Sequence, residues 1–280
     1  MKNYFFLFFL GLFLWTGCTE IPPVVNPIMG PPEEPPIVVD DQSRNVLIEE
    51  FTGVTCVQCP GGSAEIEALL GIHGSRLVAV SIHAGDFSFP FPDSQVDFRC
   101  TEGTQLINYL GSPYGYPSAV IDRRKFDGEF DLQLGKDQWA GYIEQEKAID
   151  PKVRIGVRTE YNESTGAVGV DAKLFVDETI DDPNVRISVM ITESGIVDKQ
   201  DSTNGIIEDY EHKHVLRGML TAFQGDPIPF SMVAGAEGEV SFTGTLGADW
   251  VPDKCKVIVL VHIDDADKDV LQVVEVDLIQ

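Results

Sequence analysis

A pair of cysteines at the start of a predicted helix constrains the fold of this chain more than any other feature. Cys56 and Cys59 are separated by two residues and follow a short apolar run at residues 46–48. Consecutive apolar residues in such a run are typical of a strand that is covered on both faces. Pro60 comes next, and proline is favoured in the first turn of a helix. The sequence therefore predicts a strand leading into a CxxC pair, which opens a helix.

Alternating strands and helices are predicted over residues 45–150. Their order is β-α-β-α-β-β-α, which places parallel strands beside connecting helices. The predicted elements are a strand at 46–52, a helix after Pro60 with an apolar stripe of Ile66, Leu69 and Leu70, a strand at 77–82, a short helix at 104–110, a strand opened by Pro117, a turn at 126–129 and a closing helix at 134–149.

The predicted strand directions bring several polar or special residues to one place. Strands 46–52 and 77–82 are expected to run parallel and to end at the same edge of the sheet. The third strand is expected to run antiparallel, so that its start at Pro117 returns to that edge. We therefore expect the cysteine pair, Pro117 and His83 to converge.

This arrangement resembles the thioredoxin fold. Glu50 lies six residues before Cys56, where thioredoxins carry a buried acid, and Tyr116-Pro117 lies where they have a cis-proline loop. The resemblance implies that Cys56 attacks as a thiolate, which a helix N-terminus stabilises, and that Cys59 resolves the mixed disulfide. It also implies that Glu50 accepts a proton from Cys59, and that Pro117 and Tyr116 shape the substrate groove.

Other interpretations of these residues stay open. The CxxC pair could be half of a zinc site, although no second CxxC or HxxxH partner exists, or a static structural disulfide. An exposed Cys56 would favour redox work, whereas a buried one would favour a structural disulfide. His83 could stabilise the thiolate or meet substrate, or it could be a hydrogen-bonded loop anchor. Cys100 and Cys255 could be buried free thiols or a bridge, and Cys100 could be a third redox thiol.

The pattern changes to a period of two residues after Pro151. Val153, Ile155 and Val157 alternate with other residues, and similar runs recur up to residue 279. About seven strands without helical periodicity are typical of an immunoglobulin-like β-sandwich. The predicted fold is thus an α+β thioredoxin-like domain at 43–150, followed by an all-β sandwich at 151–280 that folds by itself.

Two polar motifs in this second region invite a metal interpretation. His212 and His214 would share one face of a strand, but no third ligand is evident, and a solvated strand is the preferred interpretation. Residues 265–269 are similar to the start of a calcium loop, yet Val270 and Val276 stand where glycine and glutamate are required. We predict a hairpin turn there, and neither a metal site nor a cofactor.

The N-terminal residues predict export and lipidation. Lys2 precedes an apolar stretch at residues 4–15, which is too short to span a bilayer but suits a signal peptide at 1–17. Residues 16–18 resemble the lipobox in which Cys18 becomes the lipidated N-terminus; an ordinary signal peptide cleaved elsewhere is the alternative. Seven prolines within residues 21–41 predict that 18–42 is an extended tether behind the lipidated cysteine.

The charge of the chain excludes some partners. It carries 20 Lys and Arg against 45 Asp and Glu, a formal net charge of −25. Because nucleic acid requires a basic surface, we expect no nucleic-acid partner. Attraction to anionic lipid is disfavoured on the same ground, so we expect membrane attachment through a lipid anchor.

Four segments together resemble one family. Residues 46–60, 83–87, 115–117 and 212–217 are similar to the thioredoxin-like outer-membrane lipoproteins of Bacteroidetes, a family named after a twenty-eight-kilodalton outer membrane protein. The resemblance implies an outer-membrane lipoprotein of the cell envelope, on its periplasmic or surface face, and leaves the substrate open. We expect it to exchange thiols and disulfides with exported protein thiols or a redox partner. The alternative is a non-enzymatic surface lipoprotein whose CxxC is structural and whose sandwich binds a partner.

Overall fold

The computed structural model describes residues 36–280. The predicted signal peptide at 1–17, Cys18 and the tether up to residue 35 therefore lie outside the described residues. Residues Ile37–Gln280 form one compact unit. It is a mixed α/β structure with three α-helices among the described residues and many more strands, which confirms the predicted mixture at a coarse level.

The first half of the unit has the predicted order of elements. Strand β1 runs parallel to β2 and antiparallel to β3, as the sequence analysis expected. The elements are β1 (Val46–Thr52), α1 (Cys59–His73), β2 (Leu77–His83), α2 (Thr101–Leu110), β3 (Ser118–Ile121), β4 (Leu134–Gly135) and α3 (Trp139–Lys147).

Helix α3 begins later than the predicted start at residue 134. Leu134 is instead in β4, where it pairs with Ala119 of β3 and is completely buried. The indole Nε1 of Trp139 donates a hydrogen bond to the Leu134 carbonyl at 3.0 Å. Burial of Leu134 in the sheet therefore outweighs its continuation of the helical stripe.

The second half consists of strands, as its period of two predicts. Strands β13 and β14 form an antiparallel hairpin, which confirms the turn predicted at residues 265–269. The strands are β5 (Val153–Asn162), β6 (Ala167–Val176), β7 (Val185–Glu193), β8 (Ile196–Gln200), β9 (Ile207–His212), β10 (Val215–Met219), β11 (Asp226–Pro227), β12 (Glu237–Thr245), β13 (Cys255–Ile263) and β14 (Val270–Asp277).

One large sheet runs through both halves. Its order is β14-β13-β7-β10-β2-β1-β3-β4, with β11 added beside β7; β12-β6-β5 and β8-β9 form two smaller sheets. The junction is the parallel pairing of Val215 in β10 with Ser81 in β2. Without β10, β2 would be an edge strand with unpaired backbone groups. The division predicted at residue 150 thus does not coincide with a sheet boundary.

The core follows these layers. Apolar residues of the β12-β6-β5 sheet pack against β7 and β13. A second cluster joins α2 to the large sheet and combines residues of both halves, such as Leu106 and Ile258. A third cluster lies under α1 and α3 around the buried Trp139. Both faces of β1 and β2 are therefore covered, and their ends are fixed rigidly.

Candidate functional site

The cysteine pair lies between the end of β1 and the start of α1. Cys56 and Cys59 form a disulfide, and Cys59 is the first residue of the helix. The turn is closed by backbone hydrogen bonds from Cys56 N to Gly53 O at 3.1 Å and from Cys59 N to Cys56 O at 3.2 Å. Both cysteines are buried, with exposed fractions of 3% and 1%. By the criterion of exposure alone, this burial favours a structural disulfide.

Glu50 is a buried acid without a cation. Its side chain is completely buried in β1, and Oε2 accepts a hydrogen bond of 3.2 Å from Ser81 Oγ. Oε1 has no hydrogen-bond partner among the described residues. Burial removes water from the carboxylate and raises the pKa of Glu50 to about 8, against a smaller lowering by Ser81. Glu50 can therefore gain or lose a proton near neutral pH.

The preceding residue shows how this chain satisfies a buried acid elsewhere. Glu49 points to the other face of the sheet and is also completely buried. It receives two hydrogen bonds from the Arg123 guanidinium, at 2.7 and 2.8 Å. A bidentate pair of this kind offsets much of the cost of burying charge. Glu50 has no such partner, so its burial costs stability.

Helix α1, Glu50 and Pro117 meet at Gly62. A Cβ atom at position 62 would lie 2.5 Å from Glu50 Oε1 and 2.7 Å from Pro117 Cβ. Such distances leave no room for a side chain, so a glycine is required for this close approach. The Tyr116-Pro117 peptide bond is cis. The structure thus brings Pro117 to the helix that the CxxC pair opens, as the strand directions predicted, and places Glu50 at the same helix.

Tyr116 connects the proline loop with the CxxC loop. Its hydroxyl donates to Ala84 O at 3.2 Å, and its ring packs edge-on against Phe87 at 5.2 Å. The Phe87 carbonyl in turn accepts a hydrogen bond of 3.1 Å from the backbone of Thr55. Tyr116 is half-buried, and its contact with substrate stays a prediction.

His83 ends β2 but is buried in an aromatic cluster. Its ring centroid lies 4.8 Å from that of Phe98 and 5.6 Å from that of His212. Burial, with a smaller effect of His212, lowers the pKa of His83 to about 3. A neutral imidazole supplies no positive charge, so this lowered pKa disfavours electrostatic stabilisation of a thiolate by His83. Its contact with substrate stays a prediction.

His212 and His214 do not share a strand face, so that interpretation is wrong. His214 follows β9 with a positive φ of 55°, and its Nε2 lies 3.0 Å from Glu67 Oε1 on α1. His212 is buried beside Phe98 rather than solvated. The backbone turn separates the two rings. Across residues 36–280, no group of three or more His, Cys, Asp or Glu side chains is placed to hold a metal ion.

Gln200 is a site residue that the sequence analysis missed. It is 2% exposed, and its Nε2 donates to Cys56 O at 3.1 Å and to Gly53 O at 3.2 Å. Beside it, Asp201 N donates to Val54 O at 2.8 Å. Gln200 is 144 residues from Cys56, and no local pattern in the sequence indicates this contact.

A cavity of about 340 Å³ lies beside the cysteine pair, between α1 and the 210–214 segment. Ser63, Glu67, Ser81 and Tyr210 are among its lining residues. Because Ser81 also donates to Glu50, the buried acid is one hydrogen bond away from the cavity lining.

The remaining cysteines in the described part of the chain are free thiols, so the alternative of a Cys100–Cys255 bridge is wrong. Cys100 Sγ caps α2 by accepting a hydrogen bond of 3.3 Å from Gly103 N. Burial raises the pKa of Cys100 to about 11. A thiol with so little thiolate at neutral pH is a poor third redox group.

The fold and site together define a mixed α/β protein with a buried disulfide that opens a helix above an unpaired acid. The model of the family described as outer membrane protein Omp28 matches residues 104–279 of the chain. The chain therefore belongs to the Omp28 family of outer membrane proteins. The matched residues begin after the cysteine pair, so membership identifies the location of the protein and not the role of its disulfide.

Three of the solved structures that match this chain are from Porphyromonas gingivalis and Agrobacterium tumefaciens. HBP35 of Porphyromonas gingivalis superposes with a TM-score of 0.69 at 19% identity, over 85% of this chain and 76% of that one. Protein AGR_C_4864 from Agrobacterium tumefaciens gives a TM-score of 0.54 at 13% identity, over 85% and 96%. A domain of the lipoprotein Omp28 from P. gingivalis gives 0.31 at 18% identity, over 46% and 88%.

No curated protein sequence matches the chain. Within the described residues, no helix is both long and apolar enough to cross a membrane.

Proposed function

We propose that this protein exchanges thiols and disulfides with exported proteins through Cys56 and Cys59. The proposal includes a thioredoxin-like arrangement over residues 43–150 and an immunoglobulin-like sandwich over 151–280. The parallel β1–β2 pair, the CxxC at the start of α1 and the proline loop beside it support the first part. The packing of the β12-β6-β5 sheet on β7 and β13 supports the second.

The observation that carries the proposal is the unpaired burial of Glu50. A disulfide with a purely structural role does not require a carboxyl group buried beneath it. Desolvation of such a group without a cation costs stability, as the contrast with Glu49 shows. Perturbed acids of this kind are concentrated at functional sites. A pKa of about 8 lets Glu50 take up a proton from a thiol near neutral pH.

The proposed exchange begins with the reduced pair and a client disulfide. The Cys56 thiolate attacks one client sulfur; a Cys56–client disulfide forms and the second client sulfur leaves as a thiolate, which takes a proton from water. Glu50 accepts the proton of Cys59. The Cys59 thiolate then attacks Cys56 Sγ, the Cys56–Cys59 bond forms, and the first client sulfur leaves as a thiolate, which takes a proton from water while Glu50 returns its proton to the solvent. The client disulfide is reduced to two thiols while the protein is oxidised to the state in this structure, and the reverse sequence oxidises a client.

The equilibrium of the Cys56–Cys59 pair against a series of glutathione buffers tests this function. An exchanging pair is expected to have a midpoint potential above about −300 mV, within reach of biological thiols. Structural disulfides of exported proteins lie below that value. The fraction of reduced pair is measured by thiol alkylation and mass spectrometry. A pair that stays oxidised throughout the series would contradict the exchange function.

A second function is favoured by one observation, the burial of Cys56. In this alternative, the disulfide is structural and the protein is a non-enzymatic lipoprotein whose sandwich binds a partner. It predicts a midpoint below the glutathione range and no change in partner binding when both cysteines are replaced by serine.

We further propose that Cys18 carries the lipid that attaches the protein to the outer membrane. Cys18→Ala is expected to release the protein from the membrane fraction, because the lipid supplies the apolar anchor. Membrane fractionation and mass spectrometry of the mature N-terminus provide the measurement. A mature N-terminus at another residue would contradict this proposal.

A further inference from the structure

An element from the other half of the chain contacts the loop that carries the disulfide. A thiolate that attacks a disulfide must reach a sulfur along the S–S axis, and access to that sulfur affects the rate. Cys56 and Cys59 are almost completely buried. Their loop contacts Gln200 and Asp201, at the end of β8. We propose that the β8–β9 hairpin is a movable cover, which must separate from the CxxC loop before a thiol can react. This inference rests on the proposed exchange function and adds a regulatory step to it.

The contact between the cover and the CxxC loop is a small set of polar bonds. The Gln200 amide reaches two carbonyl groups of the loop, those of Gly53 and Cys56. The backbone of Asp201 adds one bond to Val54. When the hairpin opens, each of these hydrogen bonds is replaced by a hydrogen bond to water. The net free energy lost per bond is therefore modest. Opening therefore requires little free energy at this contact.

Further contacts hold the two sides of the hairpin. On one side, Asp198 Oδ2 accepts hydrogen bonds of 2.8 Å from the backbones of Gln95 and Val96. On the other side, Lys213 Nζ lies 2.8 Å from Glu67 Oε2 on α1, and both side chains are 41% exposed. Exposed ion pairs of this kind contribute little stability. The cavity of about 340 Å³ also lies on this side, so the hairpin is incompletely packed against α1.

The sheet topology allows the hairpin to move alone. Strands β8 and β9 pair with each other and are not part of the nine-stranded sheet. A two-stranded hairpin has marginal stability by itself, and such elements open before the core does. The next strand, β10, is held in the large sheet by β7 and β2. The hairpin can thus swing while β1 and β2 stay paired, and its opening also breaks the contacts of the buried His212 ring with Phe98 and His83.

Reduction kinetics of the oxidised protein test the cover. The full mature chain is treated with excess dithiothreitol, and Cys56–Cys59 reduction is followed by quenched alkylation and mass spectrometry. Gln200→Ala removes two bonds of the cover and is expected to speed reduction by about tenfold. Glu208→Gln is the matched control on the same hairpin, because its carboxylate pairs with Lys199 and not with the CxxC loop. It should change the rate by less than about twofold.

Hydrogen exchange gives a second measurement that needs no variant. The Asp201 amide is expected to exchange through an opening of lower free energy than the amides of β1, because it opens with the hairpin. A Gln200→Ala rate within twofold of the wild type, or Asp201 exchange only by global unfolding, would overturn the cover. If Gln200→Ala speeds reduction as expected but the midpoint potential of the Cys56–Cys59 pair lies below the glutathione range, the exchange function alone fails. If the midpoint is in the biological range but the rates are unchanged, the cover alone fails.

Discussion

Cys59→Ser is expected to accumulate mixed disulfides between Cys56 and client proteins, whereas Cys56→Ser should accumulate few. Cys56 lies three residues before Cys59, the first residue of α1, where the positive end of the helix dipole favours a thiolate. Cys59 is inside the helix and more deeply buried, which suits the resolving thiol. Without Cys59, the mixed disulfide has no internal thiol to release it. The difference in trapped material should be about tenfold or more.

Non-reducing electrophoresis of cells treated with acid to stop exchange measures the trapped species. Both variants are made in a Cys100→Ser background, so that the free thiol of Cys100 cannot contribute. Alkylation of Cys56 against pH in the Cys59→Ser protein should show a pKa below the ~8.5 of a free cysteine. A value at or above ~8.5, together with equal trapping by the two variants, would leave the structural disulfide as the better interpretation.

The first half of the fold is predictable because its signals are local. The apolar runs at 46–48 and 77–82, with Pro60 and the cysteine pair between them, define a strand, a helix and a second strand. Their parallel pairing follows from the length of the connection. The meeting of Pro117 and α1 then follows from the strand directions, whereas the place of Glu50 beneath the pair is implied by the thioredoxin resemblance.

The long-range parts of the site are not predictable in this way. The alternation in residues 153–157 shows that a strand exists but not which strand it pairs with. The pairing of β10 with β2 joins two residues from opposite halves of the chain, Ser81 and Val215. The contact of Gln200 with the CxxC loop depends on that pairing, because β10 follows the hairpin and fixes where it lies. The contact between Gln200 and the CxxC loop is therefore a property of the assembled sheet.

His212 illustrates the same limit. Its polar neighbours Glu211 and Lys213 suggest a solvated strand, yet it is buried against Phe98. The sequence has no signal for the cluster, since Phe98 lies in the loop before α2. Burial lowers the pKa of His212 to about 4, so the ring is neutral at physiological pH and packs as an aromatic residue.

Glu50→Gln is expected to make the protein more stable than the wild type as the pH rises. The folded-state pKa of Glu50 is about 8, above the ordinary value of 4.5. The folded protein therefore holds the proton more tightly than the unfolded chain, and the wild type loses stability as the pH rises from about 4.5 to about 8. The glutamine side chain of the variant does not titrate and has nearly the shape of the protonated acid. The stability difference should grow to several kcal/mol by about pH 8 and then level off.

Urea unfolding of both oxidised proteins between about pH 5 and pH 9 measures this difference. Glu67→Gln is the control on α1, because Glu67 is half-exposed, and its bonds to Lys213 and His214 lower its pKa in spite of partial burial. Its effect should be less than about 1 kcal/mol at each pH. Stability curves of the wild type and Glu50→Gln that run parallel across this range would contradict the raised pKa of Glu50.

Glu50→Gln also distinguishes two roles for Glu50, a proton acceptor in the exchange reaction and a buried acid with no chemical role. If Glu50 accepts the Cys59 proton, Glu50→Gln should slow release of a client from its mixed disulfide with Cys56, while the initial attack by Cys56 is unchanged. General-base assistance of this kind contributes about 10²-fold or more to a rate. Single-turnover kinetics with a disulfide peptide resolve the two steps. If Glu50→Gln is more stable than the wild type at pH 8 but releases the client more slowly, Glu50 is retained for its chemical role although it lowers the stability of the fold. If the variant gains stability and releases the client at the wild-type rate, Glu50 has no role in the mechanism.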